Sequence, residues 1–270
     1  MIGLFAKIKT LYITVFSIGI IGIVIIFNPA EGNWLDAVTF WVAFIFWYRF
    51  TYYVFGLLAN KEYNKISLTL TNECDPYKYI KAISPLVIKA KNKDLKTFLM
   101  LRLAARYGDC GAFEQSKELL DSIQLSKKAA SSIRVSNHIM YYNSLITYYL
   151  KENNIDKALD YLRLFEDMLQ NKKLLRATKT IMEKAYNNKV FQLNMASGNY
   201  EGAEDFYMSF FDSGNLYNKV GDKYSLSLIY EHYGRNEEAV QALSYVVENG
   251  NKLYIVQQAR QKLAELLNAE

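Results

Sequence analysis

The chain has 270 residues, 51% of them hydrophobic, a formal net charge of +5, three prolines and 13 glycines. So little turn punctuation argues against an all-β sandwich or barrel, which needs a turn about every 8–12 residues. With two cysteines and two histidines, a disulfide framework or a Cys/His metal quartet is not expected, and neither metal nor cofactor is foreseen.

The first 60 residues hold two long apolar runs. Thr10 to Phe27 carries no charge over 18 positions, roughly 27 Å of helix at about 1.5 Å per residue, close to the ~30 Å hydrocarbon core of a bilayer. A cleaved signal peptide would have a shorter apolar stretch, about 7–15 residues, ending in a small-x-small site. Asn28-Pro29-Ala30-Glu31 is a poor one, so an uncleaved span is expected over about 10–27.

The second run, Leu35 to Leu58, is rich in aromatics and holds one base, Arg49. Trp47, Tyr48, Tyr52 and Tyr53 around it suggest an aromatic belt in which Arg49 snorkels to the headgroups. These five residues are the expected membrane contacts. The loop Asn28 to Trp34 is too short for anything but antiparallel neighbours. Lys7 and Lys9 precede the first span, while Lys61 and Lys65 follow the second. The positive-inside rule then puts both termini of a two-span hairpin (residues 1–60) in the cytoplasm.

Beyond residue 60, removing Lys7, Lys9, Arg49, Glu31 and Asp36 from the 32 bases and 27 acids leaves 29 against 25. That mild excess, without a concentrated basic run, argues against a nucleic-acid partner. The run from Lys89 to Lys96 includes Asp94 and reads as a solvated helix end. Residues 61–74 read as a polar linker. Asp75-Pro76 signals an N-cap and first turn, and Pro85 is expected to kink or end the helix they open.

From there one pattern returns four times: a tyrosine-bearing helix, a short turn, then a small residue and an apolar pair. The small residues are Ser116, Ala158, Ala203 and Ala239, spaced 42, 45 and 36 apart. Around them stand Leu103, Tyr107 and Leu120; Tyr142, Leu145, Tyr149 and Leu162; Gly198, Tyr200 and Tyr207; and Leu226, Tyr230 and Leu243. This pattern resembles the tetratricopeptide family, W-x2-L-G-x2-Y followed by A-x3-F, over about residues 96–250. Asn194 and Ile146 depart from it, at the family's tyrosine and glycine positions, and the spacings exceed its 34-residue period.

The resemblance implies an all-α solenoid of antiparallel helix pairs over 75–270, with longer helices than the family's. Residues 252–268 have one apolar stripe (Leu253, Val256, Ala259, Leu263, Leu266, Leu267), as a terminal capping helix requires. It also implies a protein or peptide partner, held in a groove lined by the first helix of each pair, with Tyr141, Tyr148 and Tyr186 as candidate contacts.

No phosphate loop, H-E-x-x-H or nucleophile elbow occurs in the sequence. His138, His232 and the Gly108–Gly111 turn with Cys110 are read as packing or turn residues, and no enzyme activity is expected. The leading expectation is a membrane-anchored scaffold. The alternative makes the hairpin, with Arg49, the functional part of a transporter or of a membrane immunity or resistance system.

Overall fold

A computed structural model of the chain describes residues 5–27, 34–211 and 214–268. Among the described residues all regular structure is helical, in two compact units, 1–66 and 67–270. The loop expected at Asn28–Trp34 lies almost wholly outside the described residues.

In the first unit, α1 (Ala6–Phe27) and α2 (Trp34–Thr71) are both long and apolar enough to cross a membrane. Tyr12 meets Phe55 edge-on at 5.5 Å, and Phe16 meets Tyr48 at 6.0 Å. Numbers that rise on α1 as they fall on α2 make the two helices antiparallel. The indole of Trp47 lies over Gly19, where a Cβ would come within 2.1 Å of the ring, and its N–H donates to the Phe16 carbonyl at 3.3 Å. None of residues 7–26 is buried. Ile18, Ile25, Ile26, Phe46 and Tyr53 are each at least 64% exposed, an apolar surface that soluble monomers rarely show.

α2 runs on to Thr71, so most of the stretch read as a polar linker is helix. Its residues (Asn60, Lys61, Glu62, Lys65) offer no glycine or proline to stop the backbone. Helix α3 (Pro76–Lys89) opens as expected: Asp75 accepts from the Lys78 N–H at 3.0 Å with Pro76 in the first turn. Pro85 does not end it. Four further residues stay helical beyond the proline, with Tyr79, Ile83 and Leu86 buried on one stripe.

The rest alternates along the chain: α4 (Lys93–Asp109), α5 (Phe113–Asp121), α6 (Ser132–Lys151), α7 (Ile155–Leu169), α8 (Arg176–Ala196), α9 (Ala203–Phe211), α10 (Leu216–His232), α11 (Asn236–Asn249) and α12 (Tyr254–Asn268). Helices α4 and α5, α6 and α7, and α10 and α11 pack as pairs, and α4, α6 and α8 also touch in succession. Four turns repeat one geometry. Gly111, Asn153, Gly198 and Gly234 take positive φ at the end of the first helix. The next N–H bonds back to Tyr107, Tyr149, Asn194 and Tyr230 at 2.8–2.9 Å. This is the Schellman closure, which needs a left-handed residue and so selects glycine or asparagine. It sets each small residue at one place on the second helix. Ala158, Ala203 and Ala239 are fully buried there, and Ser116 spends its hydroxyl on the Ala104 carbonyl at 2.8 Å.

The array then returns on itself. Helix α12 packs on α10, α11 and α4. The turn before it meets the turn before α3. Lys252 donates through its backbone N–H to Cys74 at 3.3 Å and through its ammonium to Asp75 at 2.8 Å, while Asn251 donates to the Glu73 carbonyl at 2.7 Å. Cys74 and Asn251 both hold positive φ at this seam. Burial opposes the Asp75 charge, but Lys252 and the Lys78 N–H hold its carboxyl below the ordinary range. Tyr254 covers Gly111 and meets Phe113 edge-on at 5.3 Å. Of the expected α12 stripe, Leu253, Val256 and Ala259 are buried, whereas Leu267 is exposed.

The fully buried small residues allow one direct check. Ala239→Leu overfills the helix pair and should cost about 1–3 kcal/mol, seen as a lowered midpoint of thermal unfolding by circular dichroism. Ala177→Leu, at an exposed site on α8, should change it little.

Candidate functional site

Two groups of side chains stand out in the 67–270 unit. The first is a run of tyrosine rings between α5, α6 and α7. Tyr141 and Tyr142 meet at 6.0 Å, Tyr142 and Tyr161 at 6.2 Å, Tyr161 and Tyr149 stack at 5.6 Å, and Tyr149 meets Tyr148 at 5.4 Å. The ammonium groups of Lys117 and Lys157 lie 5.6 Å from Tyr148 and 5.1 Å from Tyr149, geometry in which a cation is drawn to the ring face.

The run forms because Tyr141 and Tyr148, like Tyr142 and Tyr149, are seven residues apart on α6 and so recur on one face after two turns. All five rings are half-buried. Burial raises the Tyr141, Tyr148 and Tyr161 hydroxyls above the ordinary tyrosine value, aided by neighbouring phenols at Tyr141 and Tyr161 and by Glu114 and Glu152 at Tyr148, so they stay neutral at pH 7. Among the described residues the Tyr141, Tyr148, Tyr149 and Tyr161 hydroxyls have no protein hydrogen-bond partner, unlike Tyr142, which lies 3.3 Å from His138 Nδ1. They present neutral donors and acceptors beside two ammonium groups on an apolar floor of Leu101, Leu120 and Leu145.

Of the three tyrosines expected to line a groove, Tyr141 and Tyr148 belong to this run and Tyr186 does not. Tyr186 packs edge-on against Phe165 at 5.5 Å and bonds Glu166. All three lie against the second helices α5 and α7. The seven-residue spacing on α6 was readable, but Tyr161, Lys117 and Lys157 join from other helices and carried no sequence signal.

The second group lies where α4, α8 and α10 converge. Arg106 pairs with Asp109 at 3.1 Å, and the Tyr217 hydroxyl donates to the same carboxylate at 3.0 Å. The Arg106 guanidinium also covers the rings of Tyr217 and Tyr79, at 5.2 and 5.8 Å. Buried Lys189 on α8 donates to Gln192 at 2.7 Å. Burial raises the Asp109 carboxyl despite Arg106 and Tyr217, and lowers the Lys189 ammonium to about 8 despite the pull of Asp109. Asp109 and Tyr217 tie α4 to α10, whereas the buried Lys189 ammonium has only neutral Gln192 as its hydrogen-bond partner.

The remaining candidates have packing roles. His138 Nε2 lies 3.0 Å from the Ser126 carbonyl, and His232 stacks on Tyr200 at 3.9 Å. Burial, reinforced by Asp109, pushes the Cys74 and Cys110 thiols up to about 11, the opposite of a reactive thiolate. In the first unit Tyr48, Arg49, Tyr52 and Tyr53 are exposed on α2, while Trp47 is half-buried against α1. No group of three His, Cys, Asp or Glu side chains among the described residues could hold a metal ion. No family model, curated protein or solved structure matches the chain.

Lys189 gives a signed pH prediction. Its folded-state value lies below the ordinary lysine value of 10.5, so its charge penalises the fold below pH 8, and the penalty fades as pH rises from about 8 towards 10.5. Lys189→Met should therefore raise stability most at and below pH 7. The gain over the parent should shrink steadily above pH 8 in denaturant titrations. A constant gain at all pH values would show that Lys189 is not charged and buried.

Proposed function

We propose that the chain is a membrane-anchored, tetratricopeptide-like α-solenoid that acts as a scaffold. In this reading α1 and α2 form a two-span hairpin with both termini in the cytoplasm, and the helix pairs hold a protein segment. The observation that carries the proposal is the tyrosine run: neutral, unsatisfied hydroxyls on adjoining half-buried rings, flanked by Lys117 and Lys157. Aromatic residues of this kind supply large contact area at little entropic cost and are enriched in interfaces. Lys117 already pairs with Asp121, and Lys157, in no ion pair among the described residues, favours a partner segment that carries carboxylates. The exposed apolar surface of α1 and α2 supports the anchor, and the recurring Schellman turns support the repeat reading.

A photo-cross-linking residue at Tyr148, in intact cells, should capture a protein partner. Tyr161→Ala with Tyr149→Ala should reduce that capture by about tenfold or more, in the range of hot-spot substitutions. Capture unchanged by these substitutions would contradict the proposal.

One observation favours a second reading. Arg49 is exposed within an apolar stretch of α2 and is in no ion pair among the described residues. An unpaired base at such a place is a functional hypothesis by default, and the hairpin would then be a subunit of a transporter or of a membrane immunity or resistance system. Exchanging residues 1–60 for an unrelated two-span anchor separates the two readings. Partner capture that survives the exchange supports the scaffold, and its loss supports the hairpin.

A further inference from the structure

Three connections of the array come together on one edge. Arg134, at the start of α6, pairs with Asp94 at the start of α4 at 3.0 Å, and Asn137 donates to the Asp94 carbonyl at 2.9 Å. The Leu175 N–H, at the start of α8, donates to Ser132 at the start of α6 at 3.5 Å. The N-terminal ends of α4, α6 and α8 are therefore neighbours. At helix separations of about 8–10 Å the edge they form is roughly 20 Å long.

Each connection brings exposed lysines to this edge: Lys89 and Lys91, Lys127 and Lys128, Lys172 and Lys173. None of the six is in an ion pair among the described residues. Of the nearby acids, Asp94 is held by Arg134 and Asp121 by Lys117, which leaves Glu166 and Asp167 against the six lysines. Beside the lysines stand two bare apolar side chains, Ile88 at 84% and Leu175 at 64% exposure. No phenylalanine, tyrosine or tryptophan occurs in residues 88–97, 121–140 or 170–185.

We infer that this edge is a peripheral membrane contact that rests on an anionic lipid surface. Lysines in a row attract the negative leaflet, each contributing through a field that decays within a Debye length. Exposed isoleucine and leucine beside them enter the boundary of headgroups and acyl chains. A single-stranded nucleic-acid surface would instead offer phenylalanine, tyrosine or tryptophan rings on which bases stack. The inference rests on the anchoring proposed above, because a chain held at a bilayer needs only weak attraction to lie against it. It adds a second, charge-dependent attachment. The lysines of three separate repeats thereby gain a shared role that no single run displays.

The test uses the full chain in lipid nanodiscs, with an environment-sensitive fluorophore on Leu175→Cys. Native Cys74 is buried and Cys110 half-buried, and the parent chain carried through the same labelling gives the background to subtract. Discs containing phosphatidylglycerol should blue-shift the emission, and discs of phosphatidylcholine alone should not. About 0.5 M salt should abolish the shift, as should Lys91→Glu, Lys127→Glu and Lys172→Glu combined. The corresponding glutamine variant should weaken the shift and retain the helical circular dichroism of the parent. Equal emission in both lipids overturns the inference, as does a shift produced only by added RNA or polyglutamate. Failure of the chain to enter discs would refute the anchor itself. The edge is then read by flotation with vesicles of the same two compositions, where binding to the anionic ones upholds the inference and no binding overturns it.

Discussion

The 67–270 unit closes on itself where the turn before its last helix meets the turn before α3. Lys252 reaches Asp75 and Cys74, and Asn251 reaches Glu73, across 177 and 178 residues of chain. Such long-range contacts cost loop-closure entropy before they stabilise anything, so they must be well made. Both sides of the seam hold a non-glycine residue in the left-handed region, a conformation tolerated only where surrounding contacts over-determine it. A nearly fully buried carboxylate, Asp75, answers two donors there: it caps α3 and pairs with Lys252.

The closure explains the fate of the inner surface. In an open stack of helix pairs the first helices would present a wall to solvent. Here Asp109 on α4, Lys189 on α8 and Tyr217 on α10 converge, and α12 packs on α4. Asp109 there serves Arg106 and Tyr217. What remains partly exposed is the run of tyrosines against α5 and α7, and the edges where helices begin. The four Schellman turns make this possible. They hold the turn geometry constant while helix lengths vary and the small residues are spaced 42, 45 and 36 apart.

Much of this was legible residue by residue. Asp75-Pro76 announced a helix start through capping chemistry, and the positive-φ turns were foreshadowed by Gly111, Gly198 and Gly234. The small residues marked where paired helices approach. Three things were not legible, for physical reasons. Pro85, expected to kink or end α3, does not end it, because a buried stripe on either side of it keeps the helix in place. Residues 61–71 stay helical, because polarity alone does not stop a helix that lacks glycine or proline. The seam and the tyrosine run join distant helices, and periodicity reports only on faces of single elements. The groove contacts expected at Tyr141, Tyr148 and Tyr186 thus lie against second helices, and the third stands apart.

The central claim is that the two ends of the array support each other, and amide hydrogen exchange tests it most directly. Exchange is compared between the parent chain and Lys252→Glu, which sets two acids face to face at the seam. If the closure carries the fold, exchange should accelerate in α3 and the start of α4 as well as in α12, although the first two lie some 160–175 residues away in sequence. Acceleration confined to α11 and α12 would show that the array stands without its seam and would contradict the account.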